Sequence, residues 1–70
     1  MNQLQLTYDE RLDLCCREVR LNGRRAKIGG ARCQFATIYT IDGDYQSAQS
    51  AEFSWPTVAR IVRAGGCFQS

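Results

Sequence analysis

The dipeptide Asn22-Gly23 most narrows the folds open to this chain. Asn and Gly both tolerate the positive φ that a two-residue type I′ turn demands, and such a turn fixes the register of the strands it joins. Folded about it, Leu21 faces Arg24, Val19 faces Ala26 and Arg17 faces Ile28. Because side chains alternate across a strand, Val19, Leu21, Ala26 and Ile28 then share one face. Arg20, Arg25 and Lys27 share the other, with Glu18 directly opposite Lys27. Gly23 has a competing reading as the residue that ends a preceding helix. The two readings hold together if that helix stops near Arg17.

Upstream, Thr7-Tyr8-Asp9-Glu10 fits a capping box, in which the Thr7 hydroxyl accepts from the Glu10 amide and the Glu10 side chain reaches back. Asp9 and Glu10 also set negative charge at the positive end of the helix dipole. Leu12, Cys15, Cys16 and Val19 recur at helical spacing, so the pattern predicts a helix from about Tyr8 to Glu18. The alternation of Leu12, Leu14 and Cys16 leaves a strand open as the other reading.

Downstream, Gly29-Gly30 is a break, and Arg32 to Ile41 reads as a strand rich in β-branched and aromatic residues. Asp42-Gly43 signals a second hairpin that returns through Tyr45 to about Phe53. The polar, small residues 46–51 predict a weak edge strand or a loop there. Ser54 is suited to an N-cap and Pro56 to the first helical turn. Trp55, Val58, Ala59 and Val62, widened by Ile61, form an apolar stripe that ends at Gly65-Gly66. Together these elements predict a single α+β domain spanning residues 1–70. Its small antiparallel sheet has three to four strands, with the C-terminal helix, and the N-terminal one beside it, packed on one face. Trp55 and Phe35 are expected to dominate the core, at ~2–3 kcal/mol each by buried area.

Composition excludes several classes of function. Seventy residues, 44% of them hydrophobic, fit one globular domain near the lower size limit for an unaided core. No run approaches the ~18 apolar residues of a membrane span, and the first residues resemble no secretory signal. The expected location is therefore the cytoplasm, with Cys15, Cys16, Cys33 and Cys67 as thiols. The chain has no His, which removes the commonest general base and the usual nucleophile pairs. Asp42 and Asp44 flank Gly43 as turn residues do. The cysteine spacing does not suit zinc, and the thiols read instead as small buried hydrophobes, with Cys67 near enough the end to be exposed. No enzyme activity, cofactor or metal is expected.

Charge is distributed unevenly. The net charge is only +2, yet Arg17, Arg20, Arg24, Arg25, Lys27 and Arg32 are opposed in their stretch by Glu18 alone. Three readings stay open for this ribbon: a nucleic acid, an acidic protein surface, or a solvated face that keeps a small sheet soluble. The aromatics on which single strands stack are not expected there, since Phe35 and Tyr39 are assigned to the core. Tyr45, if exposed, is a candidate interface anchor. The partner-binding set is thus Arg20, Arg24, Arg25, Lys27, Arg32 and Tyr45. A homodimer through a polar sheet edge is a further expectation.

Residues 21–30 (Leu-Asn-Gly-Arg-Arg-Ala-Lys-Ile-Gly-Gly), Phe35-Ala36-Thr37-Ile38, Phe53-Ser54-Trp55 with Val58 and Ile61, and Gly65-Gly66-Cys67-Phe68 resemble short reading frames of phages and prophages. The resemblance covers roughly the last fifty residues and implies a compact accessory protein in a host cytoplasm. Some such proteins inhibit host machinery stoichiometrically, anti-CRISPR proteins among them. On that basis the expected function is an inhibitor-like module that binds a host protein or ribonucleoprotein complex. A nucleic-acid-binding accessory protein with a basic hairpin face is the alternative.

Overall fold

A computed structural model describes residues 5–70. Four strands, β1 (Val19–Leu21), β2 (Arg24–Gly29), β3 (Phe35–Thr40) and β4 (Ser50–Ser54), follow one another as an antiparallel meander. Helix α1 (Tyr8–Cys15) precedes them. Helix α2 (Trp55–Arg63) leads from β4 to β5 (Cys67–Phe68), which pairs parallel to β1 at the far edge. The sheet order is β4-β3-β2-β1-β5, so α2 carries the chain from one edge to the other. The sheet curls, so that Phe53 on one edge strand and Phe68 on the other meet with ring centres 5.2 Å apart.

The protein is therefore α+β with two helices, but its sheet has five strands and is mixed, where three to four antiparallel strands were expected. The difference is β5, too short to show any periodicity. Gly65 and Gly66 both take positive φ, and the reversal they permit lets the Arg20 amide donate to the Gly66 carbonyl and Asn22 to Phe68. Phe68 is thereby fully buried.

The Asn22-Gly23 turn forms as expected, with φ of 53° and 84°. Its register is Val19 to Ala26, Arg20 to Arg25 and Leu21 to Arg24. Ile28 then meets Ile38 on β3, and Ile38 meets Ala51 on β4. One sheet face thus supplies Val19, Leu21, Ala26, Ile28, Ala36 and Ile38 to a single core, closed by Trp55 and Val58 of α2 and by Phe68. The indole also donates to the Cys33 carbonyl at 3.1 Å, so its one polar atom is satisfied.

This register overturns the assignment of Phe35 and Tyr39 to the core. With Ile28 pointing inward, its partner Ile38 must do so too, and Ala36 with it. The alternation then turns Phe35, Tyr39 and Ile41 outward, 47%, 39% and 41% exposed.

Helix α1 is capped by Thr7 and Glu10 as the sequence indicates, but it ends at Cys15 rather than Glu18. Leu14 and Cys15 face the core, while Leu12 and Cys16 are exposed. No α1 residue is fully buried. Arg11 ties the helix down instead, donating to the Ala31 and Cys33 carbonyls and lying 5.4 Å from the Trp55 ring centre. The second turn signal, Asp42-Gly43, does not make a tight hairpin. Residues 41–49 form a longer loop containing a 3-10 turn (Tyr45–Ser47) before β4 begins.

Candidate functional site: an open sheet face

The sheet face turned away from the core presents one row of side chains per strand. β4 contributes Ser50, Glu52 and Ser54; β3 contributes Phe35, Thr37 and Tyr39. β2 contributes Arg25 and Lys27, β1 contributes Arg20, and β5 contributes Cys67. Neighbouring rows are in register: Tyr39 lies opposite Lys27, Arg25 opposite Arg20, and Arg20 opposite Cys67. Ile41 continues the β3 row beside Arg25, its amide donating to the Arg25 carbonyl at 2.9 Å.

The Tyr39 ring is thus held one strand spacing, about 4.8 Å, from Lys27, while Phe35 lies four residues, about 13 Å, further along β3 on the same face. Gly29 makes room for the arrangement. Its own partner is Thr37, and a Cβ built on Gly29 would meet the Tyr39 ring at 3.3 Å. Tyr39 therefore reaches diagonally over bare backbone, as aromatics do beside strand glycines.

Of the residues the sequence singles out, Arg20, Arg25 and Lys27 come together on this face, all exposed. Arg25 and Lys27 make no ion pair among the described residues, and Arg20 donates only to the Gly23 carbonyl, which leaves its charge uncompensated. Arg24 does not belong with them. It sits opposite the inward-facing Leu21 and turns to the core side of the sheet. There it donates to the Asp42 carbonyl at 2.9 Å and to the Ser47 carbonyl and hydroxyl, and pairs with the Asp42 carboxylate at 3.5 Å. Its role is to hold the β3–β4 loop.

Arg32 is also elsewhere, in the β2–β3 connection, where it donates to the Tyr8 hydroxyl and lies 5.5 Å from that ring's centre. That hydrogen bond raises the pKa of its guanidinium further. Tyr45 stands outside the strands, on the 3-10 turn of the β3–β4 loop, 86% exposed. Phe35 and Tyr39 are the site residues that sequence reasoning missed. The turn register fixes the inward face of β2, but only the long-range pairing of Ile28 with Ile38 carries it to β3, and no local signal announces that pairing.

Cys67 is exposed, as its place near the end led us to expect, but Cys16 and Cys33, expected to be buried, are exposed too, and Cys15 is half-buried. Burial raises the Cys15 pKa, and the neighbouring Cys16 adds to the effect. Among the described residues no cluster of three His, Cys, Asp or Glu side chains could hold a metal ion, and no helix is long and apolar enough to cross a membrane. Beside the cation row lies a depression of about 260 Å³, bordered by Arg20, Arg25, Lys27, Glu18, Gly66 and Cys67.

Compared with known proteins, the chain matches no family model, no curated protein and no solved structure.

Proposed function

We propose that the protein is a binding module for single-stranded nucleic acid, and that the open sheet face is the surface it uses. One observation carries the reading: uncompensated cations on β1 and β2 share one face with two exposed aromatic rings on β3, Tyr39 lying directly opposite Lys27. Proteins that hold single strands combine these two elements, a cationic track for the phosphates and rings on which bases stack. The layout separates the tasks. Arg20, Arg25 and Lys27 meet phosphates; Phe35 and Tyr39 stack bases; and Ser50 and Glu52, on the other side of the rings, meet base edges. A duplex would leave the rings unused, because its bases are already stacked.

Anisotropy of a labelled oligonucleotide tests the reading. Three phosphate contacts predict a slope of about −2 for log affinity against log salt. Phe35→Ala and Tyr39→Ala each cost about 1–3 kcal/mol, while Arg25→Glu with Lys27→Glu abolishes binding. A protein that retains no single strand at low salt, or that binds equally well without both rings, is not this module.

A second reading has its own observation. Tyr45 is nearly fully exposed on a short turn outside the strands that carry the cations, and a tyrosine so presented suits a protein interface. A phage-type inhibitor of a host complex, as the sequence resemblance implies, would use it as an anchor. Tyr45→Ala separates the two readings, since it leaves oligonucleotide binding unchanged.

A further inference from the structure

The depression beside the cation row has an unequal border. On the β3 side its border is Ile41 alone, and Tyr39 lies just outside it, opposite Lys27. Beyond β1 it is bounded by main chain: residues 16–18 leading out of α1, and the Gly65-Gly66 turn leading into β5. These two segments are packed together. Gly66 is buried, and a Cβ added to it would meet the Glu18 carbonyl at 3.3 Å and a Val19 methyl at 3.4 Å. A strand that stacks on Tyr39 and crosses Lys27 reaches this joined rim next.

Charge on the border points the same way. Arg17 is engaged by Asp13 at 3.2 Å, which leaves Arg20, Arg25 and Lys27 against Glu18. Three cations and one carboxylate leave two positive charges in excess. An internal phosphodiester brings one negative charge, whereas a phosphomonoester brings ~1.5–2 near neutral pH and offers three acceptor oxygens. Guanidinium forks are suited to such a group.

We propose that this depression receives the terminal phosphate of a bound strand, so that the protein holds phosphorylated ends in preference to internal segments. The inference rests on the single-strand reading above and adds a ligand class to it. The phosphate enters between Arg20, Arg25 and Lys27, and the first base stacks on Tyr39.

Displacement of a labelled oligonucleotide by unlabelled competitors tests it. The competitors are one sequence with a 5′-phosphate, with a 3′-phosphate or with hydroxyls at both ends, together with a mononucleoside monophosphate. One of the phosphorylated strands is expected to compete about tenfold better than the hydroxyl strand, the worth of one added charge-assisted hydrogen bond. Arg20→Gln with Lys27→Gln should erase that advantage while weaker binding persists, whereas Phe35→Ala weakens every strand by the same factor and preserves the ratio. Equal competition by all strands overturns the terminal site and leaves the single-strand reading standing; so does an advantage that survives loss of Arg20 and Lys27. A mononucleotide that competes as well as the phosphorylated strand assigns the depression to free nucleotides and overturns it too. Absence of competition by any strand removes both proposals.

Discussion

Arg24 and Arg25 are adjacent in sequence and opposite in role. The pleat sends Arg25 to the open face and Arg24 to the core side, where its guanidinium bonds the Asp42 and Ser47 carbonyls. Composition alone makes the two interchangeable, and so they read as one basic patch. Arg24→Ala would remove these bonds and leave Asp42 Oδ1, already buried without a hydrogen bond, without its cation. Hydrogen bonds from a charged donor are worth about 1.5–3 kcal/mol, discounted here because both partners of the ion pair are partly exposed. Arg24→Ala should therefore lose about 1–2 kcal/mol, read as a lower urea midpoint at unchanged slope. Arg25→Ala should stay within about 0.5 kcal/mol, as exposed positions do. Equal midpoints for the two variants would show that the loop does not depend on Arg24. Charge reversal at both positions would confound folding with binding, so the binding test uses Arg25 and Lys27.

At the scale of elements, what could be read from the sequence was what local chemistry decides. Asn22-Gly23 specified its turn and register, Thr7 and Glu10 capped α1, and Ser54 with Pro56 opened α2. What could not be read locally was set by pairing between distant segments. The inward side of β3 follows from Ile28 meeting Ile38, and β5 exists only because α2 delivers it beside β1. The candidate site divides along the same line: its cations were visible from the turn, its rings were not. The edge strand β4 carries a further consequence. Among the described residues one side of Ser50–Ser54 has no partner strand, and an exposed edge is a template for a second copy. Symmetric antiparallel pairing about the strand centre would set Glu52 against Glu52 of that copy, and like charges directly opposite are unfavourable. The expected state is a monomer, and Glu52→Thr should raise the dimer fraction in sedimentation velocity. A wild-type dimer unaffected by this substitution would place the interface elsewhere.

For the molecule as a whole, the same crossing of α2 both builds the core and leaves the site open. One helix traversing from the β4 edge to the β5 edge covers a single face, so the other must remain uncovered and carry polar or functional side chains. The cost is a core that depends on the last few residues. Phe68 is 1% exposed and packs edge-on against Phe53 of β4 at 5.2 Å, closing the core between the two edge strands of the curled sheet. Removing a buried Phe side chain costs about 3–5 kcal/mol. A chain of this size has a total stability of about 3.5–10 kcal/mol at typical values per residue. Phe68→Ala should therefore bring the protein close to its unfolding threshold, lowering the thermal midpoint by more than 15 °C at about 4–8 °C per kcal/mol. Phe35→Ala, an aromatic truncation of the same size on the open face, should leave the midpoint nearly unchanged while weakening oligonucleotide binding. Circular dichroism melts of the two variants decide the matter: a Phe35 variant that unfolds as readily as the Phe68 variant would mean that β3 faces the other way, and the binding surface would go with it.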